Sequence, residues 1–309
     1  MVLVDRSGAE ETLIADPGRY VAPRISPDGR RIALWIIERL MVNDIWVWDL
    51  STRVRTRATY DRGTSLVSMV WTPDSSHVIY LANRFANRNE FRLFSIAADG
   101  PDRQPVALGT ADALVRPESV SKDRVLIGTP WPLGSASRGN SFRTLRLGPD
   151  QKPMTPEPQS FLDDSYRRQD PQFSSDGKWV AFVSNRTGRD EIYVAAYPGG
   201  GSEYQVSTGG GNQPRWNPNG RELFFRNGNT VAAVAVDTAS TFRVLGSPRE
   251  LFEKGFPFLS FSYDVANQGR RFLMLKSVPG GTDAENPRNE YHVVTNWVDE
   301  LRRRVPSAR

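Results

Sequence analysis

The sequence predicts an all-β protein, a six-bladed β-propeller of four-stranded antiparallel blades, and three observations lead to this prediction. First, a polar turn between two apolar strands recurs six times along the 309 residues. Second, the period of this recurrence is about 48 residues, the size of one propeller blade. Third, no segment between the repeats has the length and apolar stripe of an amphipathic helix, which disfavours a parallel α/β fold. A seven-bladed or incompletely closed ring stays open as the alternative.

The recurring turn is most complete at Ser26-Pro27-Asp28-Gly29. Proline presets the turn dihedral, the Asp carboxylate accepts hydrogen bonds from nearby backbone N–H groups, and glycine tolerates a positive φ. The residue before the Asp-like position marks the register, and the six marks are Pro27, Pro73, Lys122, Ser175, Pro218 and Asn267. We interpret the recurring Asp residues as turn caps, because each belongs to its own turn and they do not converge on the axis.

The first complete unit shows the four strands of one blade. Apolar and aromatic runs alternate with turns, and strand C is rich in aromatic and β-branched residues. Strands A to D are predicted at 20–26, 31–36, 44–49 and 53–60. The third unit differs, since its turn is shortened and a proline-rich stretch, 149–158, follows its strand C. We interpret that stretch as an expanded surface loop within one blade.

A single propeller domain is expected to span residues 1–309. The N-terminal strands at 2–14 are expected to complete the last blade together with 261–298, so that both ends of the chain close the ring. A short helix is predicted at 296–304, near the C-terminus.

Composition restricts the partners of the chain. There are no cysteines, which excludes disulfides and thiolate metal sites. Lys and Arg number 40 against 35 Asp and Glu, a mild excess that does not indicate nucleic-acid binding. No apolar run approaches the roughly 18 residues of a membrane span. We expect a monomer, extracytoplasmic if an upstream membrane segment tethers it and cytoplasmic otherwise.

Catalytic motifs are absent from the sequence. His77 and His292 are the two histidines, and neither has partners at the spacing of a zinc site or a Ser-His-Asp triad. A nucleophile elbow, a phosphate loop and a His-Glu-x-x-His pair are also missing. We therefore predict no catalytic residue, no metal ligand and no cofactor.

A candidate ligand-binding site lies at one mouth of the predicted ring. Because strands A and B run antiparallel, the B–C loops and the starts of strand A meet on one face. Arginine and amide side chains recur there, and both donate hydrogen bonds to carboxylates or backbone carbonyls. The candidates are Asn83, Arg84, Asn185, Arg186, Asn212, Gln213, Arg226 and Asn227. The alternative is that these residues tie each loop to the neighbouring blade.

The turns described above resemble the Pro-Asp type of WD40-like β-propeller repeat, as in TolB-type periplasmic propellers. Further segments resemble the propeller region that follows the kinase domain in bacterial serine/threonine kinases; they are 4–11, 213–216, 220–224, 263–265, 271–274 and 293–301. The resemblance implies the fold for nearly the whole chain. It also implies a role beside a signalling kinase, although propellers host many unrelated activities.

Two functions follow as expectations. The first is a non-catalytic sensor or interaction scaffold, associated with a bacterial signalling kinase, that binds a protein, a peptide or a small anionic or polar ligand at the channel mouth. The alternative is a propeller hydrolase or lyase, lactonase-like, with an axial metal site.

Overall fold

Six antiparallel sheets surround one axis in the computed structural model, which describes residues 1–39, 42–60, 65–83, 91–100, 103–109, 115–130, 141–255 and 262–276. Each sheet is one blade. From the axis outwards, the strands are β3 (Tyr20–Ile25), β4 (Arg31–Arg39), β5 (Val42–Asp49) and β6 (Arg55–Arg57) in blade 1; β7 (Ser65–Trp71), β8 (His77–Asn83), β9 (Phe91–Ala97) and β10 (Val106–Leu108) in blade 2; and β11 (Val115–Val120), β12 (Val125–Pro130), β13 (Phe142–Arg146) and β14 (Gln159–Phe161) in blade 3.

The second half of the ring follows the same plan. Its strands are β15 (Arg168–Phe173), β16 (Trp179–Ser184), β17 (Glu191–Ala196) and β18 (Gly200–Gln205) in blade 4; β19 (Asn212–Trp216), β20 (Glu222–Asn227), β21 (Thr230–Asp237), β22 (Arg243–Val244) and β23 (Arg249–Glu253) in blade 5; and β24 (Tyr263–Ala266), β25 (Arg271–Met274), β1 (Val2–Asp5) and β2 (Glu10–Thr12) in blade 6. In blade 5 the outer strand is split, because β22 and β23 both pair with β21.

The innermost strands close a ring. Strand β3 contacts β7, and the contacts continue in turn through β11, β15, β19 and β24, which contacts β3 again. The predicted all-β, six-bladed propeller is therefore confirmed, and the ring has six blades and not seven. Within the described ranges, the helical content is one 3₁₀ turn at Asn267–Gly269.

Blade 6 combines both ends of the described chain. Strand β1 lies between β25 and β2, so that Val4 pairs with Phe272 on one side and with Glu10 on the other. The extent of a single domain over residues 1–309 stays a prediction. The helix predicted at 296–304 lies outside the described residues.

The core lies between neighbouring blades. Trp35 of blade 1 and Trp71 and Tyr80 of blade 2 belong to one buried cluster. Trp71 also fastens the two blades at the ring, since its Nε1 donates to the carbonyl oxygen of Arg24 at 2.9 Å. Blades 4 and 5 repeat this bond, with Trp216 Nε1 at 2.9 Å from the oxygen of Gln172. Adjacent blades thus share both apolar burial and a hydrogen bond.

The A–B turns have the expected caps. Asp28 Oδ1 accepts hydrogen bonds from Ser26 Oγ at 2.5 Å and Arg30 N at 3.0 Å, and Gly29 has a φ of +73°. The carboxylates of Asp74 and Asp176 accept equivalent bonds. In blade 3 the shortened turn differs, and its Asp123 carboxylate accepts from Lys122 Nζ at 2.9 Å.

Candidate functional site

The predicted site residues that the structure describes lie on the side of the ring that carries the B–C loops, which we call the B–C face; the opposite side, with the A–B turns, is the A–B face. Two of the amides fasten loops there. Asn185 Oδ1 accepts from Arg167 N at 2.9 Å, and Asn227 Nδ2 donates to the oxygen of Gly209 at 3.0 Å. Asn185 directly follows β16 and Asn227 ends β20, so each bond joins the C-terminal end of a second strand to the segment before a first strand. Asn227 is exposed, so its amide is also accessible to solvent.

Gln213 and Arg226 meet inside the protein, where Ser262 links them. Arg226 Nη1 donates to Ser262 Oγ at 2.7 Å, and this hydroxyl donates to Gln213 Oε1 at 3.1 Å. The Arg226 residue is 0% exposed, and burial lowers the pKa of its guanidinium. This network joins blade 5 to blade 6.

Two more of the predicted residues lie at strand ends. Asn83 is buried at the end of β8, and Asn212 is half-buried at the start of β19. Arg84 lies outside the described residues. The structure therefore brings Gln213 and Arg226 into one network and places Asn83 and Asn185 in other blades.

Among the predicted site residues that the structure describes, Arg186 has the most exposed charged side chain. Its Nη2 lies 2.7 Å from Glu203 Oε2 and 3.3 Å from Asp164 Oδ2, and its side chain is still 34% exposed. The buried Arg168 holds the same two carboxylates at 2.5 Å each. Burial favours a higher pKa for Asp164, but the N–H of Tyr166 and the arginines outweigh it, so its pKa is below the usual value. Two carboxylates thus fix Arg186 in place.

An exposed arginine and tyrosine surface surrounds Arg186. The Tyr166 ring, 40% exposed, lies 5.3 Å from its guanidinium. Arg167 pairs with Asp190 at 2.6 Å, and Arg189 pairs with Glu191 at 2.6 Å. We call these four side chains, Tyr166, Arg167, Arg186 and Arg189, the blade 4 patch. Its members are partly paired and so are held in defined positions on the B–C face.

A second constellation lies at the axis, and sequence reasoning missed it. Six charged side chains come from the first strands of five blades, and we call them the axis cluster: Arg24, Arg116, Glu118, Asp170, Arg215 and Asp264. Arg215 Nε lies 3.6 Å from Asp264 Oδ1. Arg116 donates to Glu118 and lies 3.7 Å from Asp170 Oδ1. The axis cluster thus contains three basic and three acidic side chains.

Burial shifts the proton affinities of this cluster. It raises the pKa of Glu118 to about 7, although Arg116 beside it favours the ionised form. Burial and the neighbouring Arg215 lower the pKa of Arg24 to about 9. Perturbed groups that cluster in this way are candidates for a functional site as well as for a structural ion network.

The backbone around the axis cluster is strained at equivalent positions. Ala22, Asp170 and Gln213 have φ values of +49°, +55° and +53°, and each precedes a proline. The ladder register shifts at each of these positions, because proline has no N–H to donate. Recurrence of a proline five residues before the Asp-like turn position was the sequence signal that could have located the cluster.

Across the residues that the structure describes, no group of three or more His, Cys, Asp or Glu side chains is arranged to hold a metal ion. In the same part of the chain, no helix has both the length and the apolarity needed to span a membrane.

The six sheets and the ring of first strands define a six-bladed β-propeller. No family model matches the sequence. A putative TolB from Agrobacterium tumefaciens superposes with a TM-score of 0.55 at 16% identity, over 82% of this chain and 87% of that chain. TolB from Acinetobacter baumannii gives 0.58 at 18% identity, over 80% of this chain and 64% of that one. An oligogalacturonate lyase in complex with manganese gives a TM-score of 0.51 at 16% identity, over 79% of this chain and 71% of that chain. At these identities the similarity shows the fold alone.

Proposed function

We propose that this chain is a non-catalytic binding propeller whose B–C face receives a protein or peptide. The observation that carries the proposal is the state of Arg186 in the blade 4 patch. Its guanidinium is anchored by Asp164 and Glu203 through Nη2, and the side chain as a whole stays one-third exposed. The exposed part of a guanidinium held in this way can donate to a carboxylate or a main-chain carbonyl of a partner.

The composition of the blade 4 patch supports a protein partner. Arginine and tyrosine are enriched among the residues that dominate binding energy at protein interfaces. The ion pairs of Arg186, Arg167 and Arg189 reduce the side-chain entropy that is lost on binding, because these arginines are already held. The TolB-like fold agrees with a binding role.

A role as the sensor of a bacterial signalling kinase is the finer part of the proposal. The support is the resemblance of segments such as 4–11 and 271–274 to the propeller region of such kinases. Sequencing the coding region upstream of Met1 tests it. An open reading frame that continues into a kinase catalytic domain would support the association, and an unrelated upstream gene product would contradict it.

The binding proposal is tested with a phage-displayed library of random 12-residue peptides panned on the purified protein. Enriched peptides are then synthesised, and their dissociation constants are measured for wild type, Arg186→Ala and Tyr166→Ala. We expect acidic peptides to be enriched and each substitution to weaken binding about tenfold, which is the loss of one charge-assisted or aromatic contact.

Arg124→Ala is the matched control, since Arg124 has a similar exposed fraction, 37%, but lies in an A–B turn on the opposite face. It should leave the dissociation constants unchanged. Peptides that bind wild type and Arg186→Ala equally, or no enrichment at all, would contradict a peptide site at this patch. Thermal melts of each variant separate lost binding from lost folding.

A further inference from the structure

We propose that the A–B face carries a separate site for a small hydroxylated acid, a carboxylate or phosphate on a sugar-sized body, in a pocket between blades 3 and 4. The pocket has a volume of about 520 Å³, within the range of small-molecule sites. It lies on the opposite face from the blade 4 patch. The inference therefore goes beyond the proposed protein-binding function and does not depend on it.

The pocket exists because blade 3 departs from the repeat. Its A–B turn is one residue shorter, since Ser121 N donates to the oxygen of Val125, whereas Ser174 N of blade 4 donates to that of Trp179. The proline-rich connection between β13 and β14 supplies a second wall, which includes Met154 and Thr155. A short turn beside a long connection leaves a recess at this position of the ring.

The charges that line the pocket favour an anion. Asp176 is committed to its turn, where it accepts from Ser174 Oγ at 2.5 Å and Lys178 N at 3.1 Å. Asp123 is paired with Lys122 Nζ at 2.9 Å. The two other charged side chains of the lining, Arg146 and Lys178, are exposed and form no ion pair with a residue that the structure describes. They are free to bind an oxyanion.

The uncharged part of the lining suits a hydroxylated body. Thr144, Thr155 and Gln159 supply hydroxyl and amide groups at the wall. Tyr197 adds a ring that is held edge-on by Phe161 and Phe173, with centroids 5.2 and 5.0 Å away. A fixed aromatic side chain beside hydroxyl and amide groups matches the mixed polar and apolar surface of a sugar.

Calorimetric titration at low salt tests the site with three probes of similar size: glucuronate, glucose 6-phosphate and glucose. We expect at least one of the two acids to bind, with glucose at least tenfold weaker because it lacks the charge. The comparison of glucuronate with glucose 6-phosphate shows whether the site prefers a carboxylate or a phosphate. If neither acid binds, or if glucose binds as tightly, the proposal is overturned.

The chain offers a matched control for the basic side chains. Arg30 occupies in the blade 1 turn the position that Lys178 occupies in blade 4, and it is exposed but does not line the pocket. Lys178→Ala and Arg146→Ala should each weaken the acid about tenfold, and Arg30→Ala should not. An equal effect of Arg30→Ala would mean that the acid responds to the general surface charge of the protein, and it would overturn the site.

Two further variants make the outcome specific. Thr155→Trp fills the pocket without changing its charge and should abolish titration of the acid. Arg186→Ala, in the blade 4 patch, should leave the affinity for the acid unchanged. If Thr155→Trp binds like wild type, the acid is bound elsewhere and the pocket is not its site.

Discussion

At the scale of single residues, the unusual feature is a set of charges buried at the axis. Glu118 is 2% exposed and Arg24 is 7% exposed, and ion pairs at 3.6 and 3.7 Å connect other members of the axis cluster. Burial of such groups is unfavourable unless they are paired. The cluster therefore stabilises one arrangement of first strands, and removing one partner leaves the other charge without compensation.

Glu118 makes the stability of the protein depend on pH. Its pKa in the folded state is raised from 4.5 to about 7, so between these values the folded state binds more protons than the unfolded state. The free energy of unfolding therefore falls as pH rises from about 4.5 to 7. Glu118→Gln removes this term, and between pH 5 and 8 we expect the variant to gain about 2 kcal/mol relative to wild type.

Urea unfolding at pH 5 and pH 8 measures this difference. Glu222→Gln is the control, because Arg6 holds the pKa of Glu222 below its usual value and that carboxylate is ionised over the whole interval. Its effect on stability should be the same at both pH values. A Glu118→Gln effect that is equally independent of pH would show that Glu118 is ionised throughout.

At the scale of strands, blade 6 depends on a strand that is distant in sequence. Strand β1 pairs on both sides, whereas β2 is an exposed outer strand that pairs with β1. Val4 is fully buried in β1. A change in β1 therefore affects two ladders and the apolar contacts between blades 5 and 6, and a change in β2 affects one edge.

Proline substitutions test this asymmetry. Val4→Pro removes a ladder N–H in an inner strand, and we expect it to lower the free energy of unfolding by about 3 kcal/mol or more. Thr12→Pro, in the outer strand, should cost clearly less. The N–H of Leu13 points to β1, so that of Thr12 points away from it, and edge strands tolerate proline at such positions. Equal losses in urea unfolding would mean that β1 contributes no more to closure than β2 does.

At the scale of the whole molecule, the ring couples blades that do not touch. Each first strand contacts the next, and β24 contacts β3, so the array has no free end within the described chain. Opening at one interface therefore removes the constraint on all the others. In an open row of repeats, by contrast, opening one interface would affect only the repeats next to it.

Hydrogen exchange can distinguish the two cases. In Val4→Pro, we expect faster exchange of amides in β12 of blade 3, the blade opposite blade 6, as well as in blades 5, 6 and 1. The physical reason is that protection in a closed ring is limited by its weakest interface. Faster exchange restricted to the neighbouring blades would contradict a cooperative ring.

The sequence was sufficient for the features that repeat and insufficient for those that arise between repeats. Ser26-Pro27-Asp28-Gly29 and its copies predicted the turns and the number of blades, since each turn is made by residues adjacent in the chain. Arg215 and Asp264 meet only because two first strands converge at the axis. Arg226 and Gln213 were predicted at the mouth, but their connection through Ser262 depends on the distance between blades 5 and 6.

The position of β1 has a consequence for the protein during its synthesis. This strand leaves the ribosome before the other strands of the propeller, but its partner β25 begins at Arg271, near the other end of the described chain. At about 5–20 residues per second, β1 waits for roughly 13–50 s with apolar groups such as Val4 and one strand edge uncovered. Such an edge invites pairing with other nascent chains. Within the propeller, β1 is therefore the strand most dependent on chaperone protection, until the last blade emerges.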